Sequence, residues 1–283
     1  MTALLTQAAT ETSTTLSAEA RLRMQASERT PLMYSDWVRA LFVHYEVSPA
    51  ALQPLVPFEL EVREGKAYVS LVAFDIRRLR PAAGGVVGEW LSRPMANHGF
   101  LNVRTYVKHG GDPAVGRPDE PGIFFLAEWL PNALSVFLGP RAFGLPYRYG
   151  RPSYRHDAER GELTGQVEAK GRWLRYRARV EAGAAHRPCG SGTLAEFLLE
   201  RYSAFTERGG VKRRFRVWHE PWPVTEAEVE VEEAGLIATT GPWFESARRV
   251  GGHYSPGVIQ VHMGRPQCVN GAGCERRWTH GGS

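Results

Sequence analysis

Two short stretches place residues that could bind a small anion beside predicted strands. In FGLPYRYG (143–150) a Gly-Leu-Pro turn leads directly into Tyr147 and Arg148. A phenol can donate a proton, and a guanidinium can bind a carboxylate through two parallel hydrogen bonds. In LNVRTYVK, Asn102 and Arg104 alternate onto one strand face. An ordinary turn with aromatic residues and a solvated sheet face stay open as the alternatives.

A third stretch, RFRVWHEPWP, places His219 beside Glu220 at the end of another predicted strand. Such a pair could perform acid–base catalysis, or it could satisfy backbone groups at the strand end. The sequence holds no H-E-x-x-H, no paired C-x-x-C, no P-loop and no G-x-S-x-G. The nine histidines do not cluster at the spacing of metal ligands. We therefore predict no metal site and no cofactor.

The elements that would hold these residues are mainly strands, because apolar and polar residues alternate along most of the chain. In ALFVHYEV, for example, Leu41 and Val43 oppose Phe42 and His44. Further strands are predicted in KAYVSLVAFDI, LNVRTYVK, GIFFLAEWL and WLRYRARVE, and at 212–219, 227–232 and 258–262. Many strands with few helices predict a mainly β (α+β) fold, with an antiparallel sheet closed as a barrel or cone and a few flanking helices.

Three segments carry helix signals. Ser48 is a suitable N-cap and Pro49 suits the first helical position, which predicts a short helix. LSVFLG resembles a buried strand, although NALSVFL could also begin a helix. In SGTLAEFLLERYSAFTERGG, Thr193 and Glu196 can form a capping box and apolar residues recur at helical spacing. We predict one helix there that ends at Gly209.

Composition is typical of one globular domain. Of 283 residues 43% are hydrophobic, which is enough to fill a core. The net charge of +5 is spread along the chain and is compatible with an anionic small ligand, whereas an obligate DNA binder usually shows a denser basic stripe and a reading motif. Three cysteines argue against a disulfide scaffold, and we see neither a membrane-spanning run nor a signal peptide. We expect a cytoplasmic protein.

The two ends of the chain differ from the middle in composition. Residues 1–28 are rich in Ala, Thr, Ser and Glu and predict a disordered tail, with a short helix near Ala18–Gln25. The Gly-rich, polar residues 266–283 predict a second, flexible tail. A single β domain over 29–265 is expected between them.

Six blocks, in this order along the chain, resemble the YqjF-like family of bacterial proteins, also called the DUF2071 family. The resemblance runs from about Pro31 to Gly264. That family is similar in turn to the acetoacetate decarboxylase family, whose fold is a double-layered β cone or barrel around a closed cavity. The blocks are WVRALFVHYEVSPAALQPLVPFELEV, LNVRTYV, RAFGLPYRYG, FLLERYSAFT, HEPWPV and HYSPGVIQV.

The more distant resemblance implies a location for FGLPYRYG. In acetoacetate decarboxylases a Gly/aromatic-Pro-Lys-Lys stretch supplies the lysine that forms a Schiff base with a ketone. Pro146 matches the motif proline, so Tyr147 and Arg148 stand where the two lysines would be. Neither a phenol nor a guanidinium can form that iminium. The stretch near the assisting glutamate offers Asn102 and Arg104 and no carboxylate.

We expect a protein that binds a small carboxylate- or ketone-containing molecule in the cavity without a Schiff-base lysine. One alternative is a lyase- or isomerase-like enzyme on a small keto acid, with Tyr147 as acid/base and Arg148 or Arg104 as anion clamp. The other is a structural or interaction protein whose cavity is filled by its own side chains. The full set of expected ligand contacts is Tyr147, Arg148, Arg104, Asn102, His219 and Glu220.

The expected partner is a small molecule that could be anionic, with no nucleic acid and no membrane. Assembly into a homo-oligomer stays open.

Overall fold

The computed structural model describes residues 2–111 and 118–269, with side chains from residue 14 onward. The helices are α1 Thr2–Ser27, α2 Pro49–Leu52, α3 Gly85–Ser92, α4 Ala133–Ala142 and α5 Leu194–Leu199, with short 3-10 turns at Gln53–Leu55, Arg93–Met95, Ile237–Thr240 and Pro242–Ser246. The longer strands are β1 Met33–Val47, β3 Ala67–Pro81, β4 His98–His109, β5 Glu120–Leu130, β7 Arg151–Asp157, β8 Glu162–Ala169, β9 Arg172–Arg179, β10 Ser203–Arg208, β11 Val211–Trp218, β13 Glu228–Ala234 and β14 Arg248–Met263. The short strands are β2 Glu59–Leu60, β6 Tyr147–Tyr149, β12 Thr225–Glu226 and β15 Gln267–Cys268.

Seven strands form a closed ring in the order β14, β1, β3, β4, β5, β10 and β11. The ring closes where Val217 and Trp218 of β11 pair with Met263 and His262 of β14. Neighbours run antiparallel except β5 and β10, which are parallel. A second, four-stranded antiparallel sheet has the order β13, β9, β8 and β7. The predicted fold class, a mainly β chain with a closing sheet and a few helices, is confirmed.

The ring has two apolar faces, because successive side chains of a strand point in opposite directions. Leu41 and Val43 of β1 pack into a core shared with the second sheet, where Leu174 is buried. Phe42, between them, packs into a separate core inside the ring. The alternation predicted for β1 is thus confirmed. The interior face carries the polar residues described below.

The short helix predicted at Pro49 is confirmed, whereas the strand expected at LSVFLG is wrong. Pro49 begins α2, although the side chain of Ser48 makes no capping hydrogen bond. NALSVFL forms a helix and not a strand, since α4 spans Ala133–Ala142. Its N-cap is Asn132, whose side chain accepts a hydrogen bond from the Ser135 backbone at 2.9 Å.

The long helix predicted from Thr193 to Gly209 is wrong beyond its first two turns. The cap is present, because Thr193 Oγ1 accepts from the Glu196 backbone at 3.2 Å, but α5 ends at Leu199. The following residues form β10, which pairs with β11 through a two-residue turn at Gly209 and Gly210. Both glycines have positive φ, as such hairpin turns require. The glycine interpreted as a helix stop is therefore a hairpin turn.

The N-terminal helix is much longer than the short helix predicted near Ala18–Gln25, and its second half packs on the ring. Ala20 and Met24 are buried against Tyr202 and Trp218. The Ser17 hydroxyl donates to the His219 backbone oxygen at 2.7 Å. The helix thus covers the end of β11. The division into tail, domain and tail stays a prediction, and residues 270–283 of the second tail lie outside the described part of the chain.

Truncation of Met24 tests this packing. Met24 is 3% exposed, whereas Leu22 on the same helix is 65% exposed. We expect Met24→Ala to lower the free energy of unfolding by about 2 to 4 kcal/mol, because it leaves a cavity at a buried position. Leu22→Ala should change it by less than about 0.5 kcal/mol. Urea unfolding measures both, and equal effects would contradict a docked helix.

Candidate functional site: a cavity inside the ring

The interior of the ring holds a cavity of about 240 Å³. Its wall is mostly apolar and includes Phe42, Phe100 and Trp222. The half-buried Met95 and the exposed Leu138 and Ala142 line its outer end. The described side chains therefore leave the cavity unfilled. Its polar lining residues are His98, Asn102, Arg104, Glu128, Ser135, Tyr147, Arg201, Ser203 and His219.

Tyr147 and Arg148 point to opposite sides of β6. Tyr147 lines the cavity. Arg148 is directed away: its Nη1 donates to Thr239 Oγ1 at 2.8 Å, and its guanidinium lies 5.4 Å from the Trp129 ring centroid. Burial lowers the pKa of Arg148 from its usual value. Because consecutive strand residues alternate, only one of this pair can face the ligand, and Arg148 is not placed to clamp an anion in the cavity.

His219 and Glu220 separate in the same way. His219 is buried in the cavity wall, whereas the Glu220 side chain is exposed. His219 Nδ1 donates to the Glu220 backbone oxygen at 2.7 Å and not to its carboxylate. Burial lowers the pKa of His219 to about 4, so the ring is neutral at pH 7. The expected His–Glu acid–base pair is not formed.

A row of three polar residues crosses the interior face of three neighbouring strands. Asn102 of β4 lies opposite Glu128 of β5, and Glu128 pairs in turn with Tyr147 of β6. Sequence reasoning missed Glu128, because it lies in GIFFLAEWL, a run so apolar that no alternation is visible. The sequence did contain a signal that could have identified Glu128. It is a single carboxylate inside a strand predicted to be buried, and such groups are rare without a partner or a function.

Glu128 is the most unusual of these groups electrostatically. It is 4% exposed, and its Oε2 has no hydrogen-bond partner among the described residues. Burial raises the pKa of the Glu128 carboxyl well above its usual value. A carboxyl with a strongly raised pKa keeps its proton at neutral pH and can donate a hydrogen bond. The Oδ1 of the neighbouring Asn102 also lacks a partner in the described chain.

Tyr147 is held by close packing on two sides. Its ring meets Phe100 edge to face at a centroid distance of 5.5 Å. On the other side it presses on Gly139 of α4, where a Cβ atom would lie 2.3 Å from Tyr147 Cε2. Burial raises the pKa of the phenol well above its usual value, and the charge that Glu128 gains at high pH raises it further. The phenol therefore acts as a hydrogen-bond donor and not as a phenolate.

Arg104 brings a buried positive charge to the same interior face. It is 6% exposed, its Nη2 donates to the Leu198 backbone oxygen at 3.0 Å, and its Nε lacks a partner in the described part of the chain. The guanidinium carbon lies 5.6 Å from the Phe42 ring centroid. No carboxylate of the described chain lies within ion-pair distance of it. A buried cation in this state favours an anionic ligand.

A chain of hydrogen bonds behind Arg104 shares its carbonyl acceptor. The carbonyl can only accept, so it determines which group donates in every bond of the chain. The Tyr106 hydroxyl donates to the Leu198 oxygen at 2.9 Å and must therefore accept from the Ser70 hydroxyl at 2.5 Å. His44 then donates from Nδ1 to Ser70 at 2.7 Å, and its Nε2 accepts from His253 at 3.1 Å. Burial, helped by His253 and Arg104, lowers the pKa of His44 well below its usual value, as a neutral ring in this chain requires.

The family of the chain follows from a comparison with known proteins. The model of the DUF2071 family, described as an uncharacterised conserved protein, matches residues 34–259. The chain belongs to the DUF2071 family. Within the curated proteins it is similar to the uncharacterised protein YqjF of Bacillus subtilis strain 168, with 27% identity over 208 residues, which are 71% of this chain and 78% of that protein.

The fold of this DUF2071 chain is also similar to that of solved structures outside the matched family model. An acetoacetate decarboxylase-like enzyme from Sphingomonas wittichii RW1 superposes with a TM-score of 0.60 at 17% identity, covering 85% of this chain and 94% of the other. The enduracididine biosynthesis enzyme MppR, in complex with the condensation product of pyruvate and imidazole 4-carboxaldehyde, superposes with a TM-score of 0.56 at 16% identity, covering 84% and 90%. The resemblance to the acetoacetate decarboxylase fold is thereby confirmed.

In residues 2–111 and 118–269, no three or more His, Cys, Asp or Glu residues come together as a metal site would need. No helix in the same ranges has the length and apolar character needed to span a bilayer.

The protonation of Glu128 makes a testable prediction about stability. Its folded pKa is raised, so above the unfolded value of about 4.5 the unfolded state loses a proton that the folded state keeps. Stability then falls as pH rises, by up to about 1.4 kcal/mol per pH unit, until the folded pKa is passed. Glu128→Gln has no such proton, so its stability relative to the parent should grow with pH above about 5.

Urea unfolding at pH 5, 6, 7 and 8 measures this difference, and Glu159→Gln at an exposed position is the control. The control should follow the parent at every pH. A Glu128→Gln protein less stable than the parent at pH 7 would show that a charged, hydrogen-bonded carboxylate is present instead.

The contact between Gly139 and Tyr147 makes a second prediction. Gly→Ala inside a helix normally stabilises by about 1 kcal/mol. Here the new methyl group would overlap the Tyr147 ring, so Gly139→Ala should destabilise by about 1 to 3 kcal/mol. In a Tyr147→Leu background the same change should become neutral or stabilising. Urea unfolding of the parent, the two single variants and the double variant measures the coupling between the two positions. Additive changes in the free energy of unfolding would exclude the contact.

Proposed function

We propose that this protein binds a small molecule with a carboxylate or ketone group in the ring cavity, without a Schiff-base lysine. The observation that carries the proposal is a set of polar atoms that have no partner among the described residues and lie in a largely apolar, buried space: Glu128 Oε2, Asn102 Oδ1, Arg104 Nε, Ser135 Oγ and Trp37 Nε1. Buried polar atoms are otherwise almost always paired, so a cluster of exceptions in a cavity wall favours a ligand that pairs them.

The charges suit a carboxylate or a carbonyl oxygen. Arg104 supplies a buried cation without an ion pair in the described chain. The protonated Glu128 and the phenol of Tyr147 supply neutral donors on the same interior face. The apolar wall and a volume of about 240 Å³ favour a small ligand with a hydrocarbon part. A drug-sized ligand usually needs at least about 300 Å³.

The residues disfavour the reaction of the distant relatives. None of the described residues that line the cavity is a lysine. Lys66, Lys108 and Lys212 contact Glu46, Glu59 and the Pro57 oxygen instead. The Sphingomonas structure is titled acetoacetate decarboxylase-like, and the MppR complex holds a product made from pyruvate, an oxo acid. These titles support an oxo-acid ligand as the first class to test here.

Binding can be measured by calorimetry with pyruvate, longer straight-chain 2-oxo acids, and the methyl ketones and alcohols of matching length. We expect the oxo acids to bind and the alcohols not to bind. Arg104→Lys keeps the charge but loses the planar fork, so it should raise Kd at least about tenfold. Arg148→Lys, outside the cavity, should leave Kd within about twofold.

A second variant keeps the test decisive if Arg104→Lys is unstable. Ala142 is exposed at the cavity mouth, so Ala142→Trp should obstruct entry without touching Arg104. If none of the probes binds and native mass spectrometry of the purified protein shows no bound small molecule, the proposed function fails.

A second candidate function is proton transfer on an oxo acid. It is favoured by the pairing of Glu128 with Tyr147, two titratable groups whose pKa values are both raised inside one cavity. Glu128 would give its proton to the carbonyl oxygen while water admitted through the mouth accepts the proton of the adjacent carbon, and both transfers reverse as the ketone forms again. Hydrogen–deuterium exchange at the carbon beside the carbonyl measures this. Exchange lost in Glu128→Gln with binding retained supports the enzyme, and binding without exchange in the parent excludes it.

A further inference from the structure

An exposed apolar surface surrounds the mouth of the cavity. On α3 the side chains of Val86, Val87, Trp90 and Leu91 are each more than 60% exposed. On α4 Leu134, Phe137 and Leu138 are 41 to 54% exposed. Together these seven residues make up the mouth surface. Large exposed apolar side chains gathered around an opening mark an interaction site, whereas single ones do not.

The mouth surface is continuous with the cavity. Helix α3 leads directly into the 3-10 turn Arg93–Met95, and Met95 lines the cavity. The turn is tied to α4, because Asn132 Nδ2 donates to the Pro94 oxygen at 2.5 Å. Leu138 belongs both to the exposed patch and to the cavity wall. A surface that covers this patch would also face the opening.

The charges at its edge are mainly positive. Arg93 and Arg141 are exposed, and Arg80 lies five residues before α3. None of the three makes an ion pair with a carboxylate of the described chain. The acidic residue of α3, Glu89, acts electrostatically on Arg78. Arg141 lies over the Phe137 ring, 3.7 Å from its centroid, and so joins a cation to the apolar patch.

We propose that the mouth surface docks on an anionic lipid surface, with the cavity opening against the lipid. Apolar side chains with a tryptophan, bordered by arginines, are the combination that holds a protein at a lipid interface without spanning it. The expectation of no membrane partner came from the lack of a spanning run, which peripheral docking does not require. This inference does not depend on the proposed function, because the surface binds whether or not the cavity is filled.

A second copy of the chain fits the surface less well. A two-fold interface sets one patch against itself, so Arg80, Arg93 and Arg141 would meet the same three cations with few carboxylates to balance them. Headgroups of anionic lipids supply the missing charge. The two occupants differ in their dependence on lipid, which the experiment uses.

Sedimentation of the full chain with vesicles tests the proposal. Vesicles of phosphatidylcholine with about 30% phosphatidylglycerol should bind the protein at low salt, pure phosphatidylcholine should bind it much less, and 0.5 M NaCl should release much of it, because salt screens the arginines. Val87→Asp should weaken binding about tenfold or more. Ile259→Asp is the matched control, since Ile259 and Val87 are both 67% exposed and Ile259 lies on β14. It should bind like the parent.

The charge contribution is separable. Arg93→Gln and Arg141→Gln should each weaken binding about fivefold, and Arg172→Gln on the second sheet should not. Light scattering of the free protein gives its mass in the same buffer. Absence of binding to the anionic vesicles overturns the proposal. A dimer in solution that Val87→Asp dissociates overturns it too, because the surface would then be occupied by a second copy.

Discussion

The closure of the seven-stranded ring is the constraint on which the site depends. Once β11 pairs with β14, every second residue of each ring strand must point into the interior of the ring. Apolar residues fill most of these positions, and their burial stabilises the ring. Asn102, Arg104 and Glu128 occupy others, and none of them can turn outward without reversing its whole strand. The second sheet packs on the opposite face of the ring, and the interior holds the cavity.

The interior of the ring is distinguished by its buried polar and charged groups and not by a sequence motif. The apolar interior raises the pKa of Glu128 well above its usual value and lowers that of His219 to about 4, yet it holds the charge of Arg104 without an ion pair in the described chain. Arg104 is oriented by a carbonyl at the end of α5, and the polarised chain from His253 to Tyr106 ends on the same carbonyl. A ligand with one oxygen-rich end and one apolar end fits both parts of this interior.

Features that depend on the alternation of residues within one strand could be predicted from the sequence. Features that depend on pairing between strands distant in sequence could not. The strand faces of β1 and β4 were predictable because their polar and apolar residues alternate. Glu128 was missed because β5 is apolar on both faces, and its role depends on pairing with Asn102, 26 positions earlier in the chain. Tyr147 and Arg148 were assigned to one site because they are adjacent in sequence, although adjacent side chains of a strand point to opposite faces. Residues 203–208 carry a helical spacing, but pairing with β5 and β11 overrides it.

The central claim is that the cavity presents a neutral carboxylic acid at Glu128. Infrared difference spectroscopy between the parent and Glu128→Gln at pH 7 tests it most directly, because a protonated carboxyl has a C=O stretch that a carboxylate lacks. We expect one such band in the parent, shifted in D₂O and absent from the variant. A parent spectrum without the band, with carboxylate bands lost in the variant instead, would show that Glu128 is ionised and not a neutral acid.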